Sequence, residues 1–183
     1  MTEDALPWSA PLRVADLNGR KPTRFALSLP EDLRAAVAEW ADISALESLT
    51  LKGQLTPRGR NDWQLEAEFA ARVVQPCAVT LKPVKTALAE PVTRHYVADL
   101  PEPEGEEVEM PEDDSLERLG TEIDLAAVAL EALELALPLY PRAPDADEAK
   151  LSAAPEGAAP LTEEATRPFA NLRDLLAKRD ESE

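Results

Sequence analysis

Two runs of alternating character, separated by one short polar break, constrain this chain more than anything else in it. In LESLTLKGQLT, residues 46–56, Leu49, Leu51 and Leu55 fall on one side of an extended backbone. In DWQLEAEFAARV, residues 62–73, Trp63, Leu65, Ala67, Phe69, Ala71 and Val73 do the same. Asp62, Gln64, Glu66, Glu68 and Arg72 take the opposite side. Successive side chains of a strand point to opposite faces, so both runs read as half-buried β-structure. The five residues between them, PRGRN, contain a glycine and predict an antiparallel hairpin. Such a pair is marginal alone; its apolar face demands more strands and a cover.

Other periodicities supply both. RFALSL, 24–29, turns Phe25, Leu27 and Leu29 inward. WSAPLRVADL, 8–17, is a weaker strand that Pro11 confines to an edge or a strand start. VKTALAEPVTRHYV, 84–97, spaces Val84, Leu88, Val92 and Tyr96 four apart and reads as a third strand of the meander, with Pro91 again asking for an edge or a bulge. PEDLRAAVAEW, 30–40, changes period: Leu33, Val37 and Trp40 share a helix face, and Pro30, Glu31 and Asp32 suit a first turn. The strongest helix lies in TEIDLAAVALEALELALPLYP, 121–141, with Asp124 as N-cap and Pro138 as its stop. Leu125, Val128, Ala132 and Leu135 face one way, and Leu130, Leu133 and Leu137 widen the stripe. The fold expected is α+β: a curved, mostly antiparallel sheet over 46–97 with flanking strands, open or closed into a partial barrel, packed by helices 30–41 and 124–137. Residues 1–141 form this domain.

Charge divides the chain. Residues 1–98 carry 12 Lys/Arg and 12 Asp/Glu, whereas residues 99–183 carry 7 and 24, which accounts for the whole net charge of −17. Residues 99–117 hold ten acids and no base, which predicts a solvated acidic loop, with EEVEM able to add a short strand. Residues 142–167 are rich in Ala, Pro and Glu and read as a disordered linker. At 168–179, Phe169, Leu172, Leu175 and Leu176 recover helical spacing, as a short helix or docking motif. Phosphate backbones repel a polyanion, so any RNA contact belongs to the neutral first half. Its loose basic groups offer Arg58 and Arg60 at the hairpin tip, and Lys82 and Lys85 after the second strand. Those two groups are expected at opposite ends of the sheet. The acidic half suits a basic partner, and Glu102, Glu104, Glu106, Glu107, Glu109, Glu112, Asp113 and Asp114 are its candidate contacts.

Catalytic and metal chemistry find little footing. Cys77 and His95 are the sole residues of their kinds, and a structural zinc needs about four such ligands. A Cys–His pair would need a third, orienting group. No phosphate loop is present, and the carboxylates crowd into Pro-interrupted stretches that hold no rigid acid–base pair. Neither an enzyme nor a small-molecule substrate or cofactor is expected. No stretch approaches the roughly 20 apolar residues of a membrane span. The acidic start and the lone cysteine suggest the cytoplasm.

Three stretches together carry a family resemblance: VVQPCAVTLKPV at 73–84, EPVTRHYV at 90–97 and EIDLAAVALEALELALPLYPR at 122–142. The chain resembles the YceD family of large-ribosomal-subunit RNA accumulation proteins over roughly residues 8–142, with PFANL near the end. Cys77, Leu81, Pro83 and Val84 are the signature positions. The resemblance implies a non-enzymatic bacterial factor needed for 23S rRNA to accumulate, through its synthesis, processing or stability. Ribosomal RNA, a large-subunit ribosomal protein, or both would be its partners. Many members carry C-x-x-C here; Cys77 holds the first position and Thr80 stands at the second, so this is a cysteine-poor variant. The alternative is an acidic protein–protein adaptor unrelated to ribosomes. Oligomeric state is not legible.

Overall fold

The computed structural model describes residues 6–99 and 116–146. Contacts divide the chain after Ala143, and the domain is the unit before that point. Its elements, in order, are strand β1 (Pro11–Arg13), strand β2 (Thr23–Ser28), helix α1 (Arg34–Trp40), strands β3 (Ala45–Arg58), β4 (Asp62–Pro76), β5 (Pro83–Val97), β6 (Leu116–Arg118) and β7 (Glu122–Asp124), and helix α2 (Leu125–Ala136). Five strands form one sheet in the order β2-β3-β4-β5-β6. All neighbours are antiparallel except β5 and β6. The sheet is curved and stays open, so it is not a barrel.

The expected hairpin is present, with a shorter loop. Pairing runs from Ala45↔Val74 to Arg58↔Asp62, leaving three residues at the turn rather than five. Pro57 and Arg58 join the strand, and Gly59 takes the left-handed backbone at φ 58° that side chains disfavour. One register shift between Leu46 and Ser48 inserts Glu47 as an extra residue. Because of this bulge Leu46 faces the core together with Leu49, Leu51 and Leu55, although an even-numbered position should face away.

One face of the sheet is covered and the other is open. Trp63, Leu65, Ala67, Phe69, Ala71 and Val73 of β4 are all buried, as their alternation predicts. Leu88, Val92 and Tyr96 of β5 join them, and α2 contributes Leu125, Val128, Leu130, Ala132 and Leu133. Leu135 departs from expectation: it is 77% exposed near the end of α2, where no described side chain packs over it. The first helix is shorter than expected, because residues 31–33 form a 3-10 turn before α1 begins. Pro11 does open a strand, but β1 pairs with β7 in a separate two-stranded sheet rather than flanking the large one. Pro91 sits on β5 where no described strand pairs on its far side, since β6 reaches only His95–Val97. The edge position spares the ladder its missing donor. The region of EEVEM lies outside the described residues.

Gly53 marks a close approach of β3 and β4. A Cβ added there would fall on the Glu66 carbonyl and lie 2.6 Å from Ala67 Cα. Neither neighbour is a flexible side-chain tip, so the two strands would have to separate. Gly53→Ala is therefore expected to destabilise the domain by about 2 kcal/mol or more. Urea denaturation of both proteins measures it, and unchanged stability would refute the close approach.

Candidate functional site

The signature stretch at 73–84 is a tie between two parts of the chain. Cys77 opens a tight turn in which its N–H donates to the Lys82 carbonyl at 2.8 Å and its carbonyl accepts from Leu81 N–H at 3.0 Å. Leu81 adopts φ 59°, unusual for a non-glycine residue, and its side chain is exposed. The turn then captures the segment leaving α2. Ala78 N–H donates to the Pro141 carbonyl at 2.8 Å, and Gln75 Nε2 to the Pro138 carbonyl at 3.3 Å. Cys77 Sγ itself accepts N–H groups from Val79, Thr80 and Ala143, at 3.4, 3.4 and 3.3 Å. Cys77 has no exposed surface. The two stretches VVQPCAVTLKPV and ALPLYPR, distant in sequence, are thus one physical unit.

These donors favour a thiolate. The Thr80 hydroxyl is the largest influence, although its oxygen makes no hydrogen bond of good geometry; the Ala143 and Thr80 N–H groups follow, burial opposes them, and the thiol is held down to about 6. The unfolded thiol titrates near 9.0. A depressed value stabilises the fold fully above 9.0, and that contribution is lost as pH falls through about 6.

A second polar corner joins β1, β7 and α2. Asp124 caps α2 by accepting Ala126 and Ala127 N–H, at 2.9 and 3.3 Å. It also accepts Ala10 N–H at 2.8 Å and the Ser9 hydroxyl at 2.7 Å. Burial pushes this carboxyl up, but the four hydrogen bonds outweigh it and hold it below its usual value.

The third feature is Arg94, which bridges three elements. Its guanidinium meets Glu117 of β6 at 3.0 Å and Glu131 of α2 at 2.7 Å, with 17% of its side chain exposed. Burial raises the Glu117 carboxyl despite the attraction of Arg94. Tyr96, desolvated beside the same carboxylate, is pushed far up and stays a neutral phenol. An open cavity of about 460 Å³ lies alongside, between β6–β7 and α2, lined by Trp40, Tyr96 and five carboxylates. Sequence reasoning passed over Arg94, yet a signal existed: it has the parity of Leu88, Val92 and Tyr96, so a cation stands on the buried side of a strand.

The structure separates several residues that chemistry would need together. Cys77 precedes β5 and His95 is near its far end, about 40 Å apart at the usual strand rise. They form no catalytic pair. Among the described residues no cluster of three or more metal-ligating side chains occurs, and no helix is long and apolar enough to cross a membrane. Arg58 and Arg60 sit at the β3–β4 turn, while Lys82 and Lys85 lie at the other end of β4, so neither pair touches the other. Lys85 is engaged with Glu47 at 2.6 Å, and Arg58 Nε donates to Gln64 Oε1 at 2.6 Å. Pro83 pairs with Pro76, and Val84, half-buried, with Gln75. The acidic candidates, Glu102 to Asp114, lie outside the described residues, as does the segment 168–179.

Comparison with known proteins gave one positive finding. A family model described as large ribosomal RNA subunit accumulation protein YceD matches residues 65–176. Searches of curated proteins and of solved structures found no match. The matched span runs from β4 through α2 and includes both sides of the Cys77 tie.

Two outcomes follow from these geometries. Cys77→Ser cannot ionise in this range, so the stability difference between wild type and variant should widen from pH 6 to pH 9. Urea titrations at several pH values measure this, and parallel curves would show that the sulfur is not held as a thiolate. Asp124→Ala should cost about 1 kcal/mol at neutral pH as a lost N-cap. That difference should shrink below pH 3.8, as the wild-type carboxyl is protonated; a gap that persists in acid would contradict the capping role.

Proposed function

The chain belongs to the YceD family, and on that premise we propose that it is a non-enzymatic ribosome-biogenesis factor of the bacterial cytoplasm. It supports accumulation of large-subunit ribosomal RNA through synthesis, processing or stability. The observation that carries this reading is the family match over 65–176, more than half of the chain. Its partners are ribosomal RNA and a basic large-subunit protein. The charge distribution supports that division of labour. A domain with balanced charge precedes residues 99–183, which hold 24 acids against 7 bases. Acidic residues Glu102 to Asp114 would screen a basic ribosomal protein before assembly, since opposite charges steer encounter and suppress wrong partners. The Cys77 tie acts as a structural element of this domain and takes no part in chemistry.

Cells lacking the protein should show a lowered ratio of large- to small-subunit rRNA, restored by the wild-type gene and equally by Cys77→Ser. An unchanged ratio would refute the reading, and failure of a folded Cys77→Ser protein would return the thiol to a functional role. Deletion of residues 100–115 should weaken association with large-subunit precursors in gradient sedimentation. Undiminished association would remove the acidic segment from the mechanism.

A further inference from the structure

The outer face of the five-stranded sheet is the one large surface that no described element covers. Arg24, Ala26 and Ser28 of β2, Lys52 of β3, Arg72 of β4 and Lys85 of β5 are all exposed there. Strand register places the cations in a line. Arg24 stands opposite Gln54 and Lys52 opposite Ala26, so the two cations occupy adjacent strands and successive rows. Arg72 lies on the next strand, opposite Ser48, and Lys85 on the one after, opposite Val74. Arg58, at the turn end, has the same parity as Lys52 and continues the line.

At 4.8 Å between strands and 3.3 Å per residue, neighbouring cations on this path are about 8 to 14 Å apart at Cα. Long basic side chains span most of those gaps. The two basic groups at opposite ends of β4 are thereby connected through Arg24, Lys52 and Arg72. Four carboxylates share this face: Glu47 is paired with Lys85, Glu66 accepts from Gln54 and Gln64, Asp62 accepts from Ala98 N–H, and Glu68 stands opposite Lys52. Ser28, Ser48 and Thr50 border the path. No Phe, Tyr or Trp has outward parity on β2 to β5, so there is no platform for stacking unpaired bases. Helical RNA needs none, because it is recognised through phosphates, 2′-hydroxyls and shape.

We propose that the outer face of the sheet, along Arg58, Arg24, Lys52 and Arg72, binds the phosphate backbone of an RNA duplex. This rests on the ribosomal reading and assigns a surface within it. Binding on this path depends on salt and is indifferent to base sequence.

The test uses the full chain and a fluorescently labelled RNA hairpin of about 20 base pairs, with anisotropy read over a range of salt. A single-stranded RNA of the same length is the second arm. The variant is the triple substitution R24Q, K52Q and R72Q, at exposed positions where surface changes leave the fold intact. Wild type should bind the hairpin more tightly than the single strand. The triple variant should lose at least about tenfold, and its salt slope should fall by roughly three. Equal binding by variant and wild type, or preference for the single strand, would overturn the proposal. Sedimentation with large-subunit precursors separates the two levels. If wild type and triple variant co-sediment equally and neither binds the hairpin, the ribosomal reading stands, contact is with protein, and this surface is wrong. If wild type neither co-sediments nor alters the rRNA ratio, the reading itself fails.

Discussion

The domain depends on the one-sided burial of β4. Six alternate residues, Trp63 to Val73, all lie in the core, and each contributes on the order of 1–3 kcal/mol of apolar transfer where its side chain is large. A strand of fifteen residues with one fixed apolar side determines the register of both neighbours, because a slip of one residue would turn every core side chain to water. β3 meets this demand with Leu49, Leu51 and Leu55, and keeps Leu46 inside by inserting Glu47. The same constraint leaves Gly53 and Ala67 as the small pair where the strands crowd. It also forces the other side of the sheet to be polar, which is why that side carries the charges.

Polar ties then hold the cover in place. Asp124 is at once the N-cap of α2 and the acceptor for Ser9 and Ala10, so the helix start and β1 are fixed by one carboxylate. Arg94 fixes the middle of α2 and the short β6 to β5. Cys77 and its turn fix the segment beyond the helix. The sulfur accepts from three N–H groups, two in its own turn and one from the segment beyond α2. This explains why a lone cysteine stands in a signature stretch without any reactive neighbour. Its chemistry is that of a large, polarisable acceptor.

The elements most legible in the sequence were those with period two or 3.6 over ten or more residues: β3, β4, β5 and α2. Their local pattern and tertiary environment agree. The losses came where structure depends on long-range pairing. The partner of β1 is β7, more than a hundred residues away, and three residues of each give no periodic signal. The hairpin loop is shorter than its sequence suggests: Pro57 and Arg58 look like turn residues, yet at the end of a long ladder they still pair. The tie at Cys77 is invisible in the sequence because its partners, the Pro138 and Pro141 carbonyls and Ala143 N–H, follow a helix terminator and resemble a linker. For the candidate surface the sequence showed two basic groups and the correct expectation that β4 separates them. The residues between them could be aligned only once cross-strand register was known.

Charge makes the same point about averages. The first 98 residues sum to zero, which describes neither face of the sheet. Inside, Arg94 is compensated by two carboxylates at contact distance. Outside, no described carboxylate forms an ion pair with Arg24, Lys52 or Arg72, although Glu47 feels the charge of Arg72 and Glu68 stands opposite Lys52. An approaching polyanion responds to groups within about a Debye length, some 8 Å at physiological ionic strength. The net charge of −17 therefore acts on solubility and on long-range encounter, while contact is decided by the local face. A chain acidic overall can hold RNA on a neutral domain, provided its carboxylates lie to one side of the contact or are paired with cations. On this sheet Glu47 is paired with Lys85, whereas Asp62 and Glu66 accept from uncharged donors and keep their charge. Together with Glu68, opposite Lys52, these β4 carboxylates set the bound backbone closest to β2 and β3.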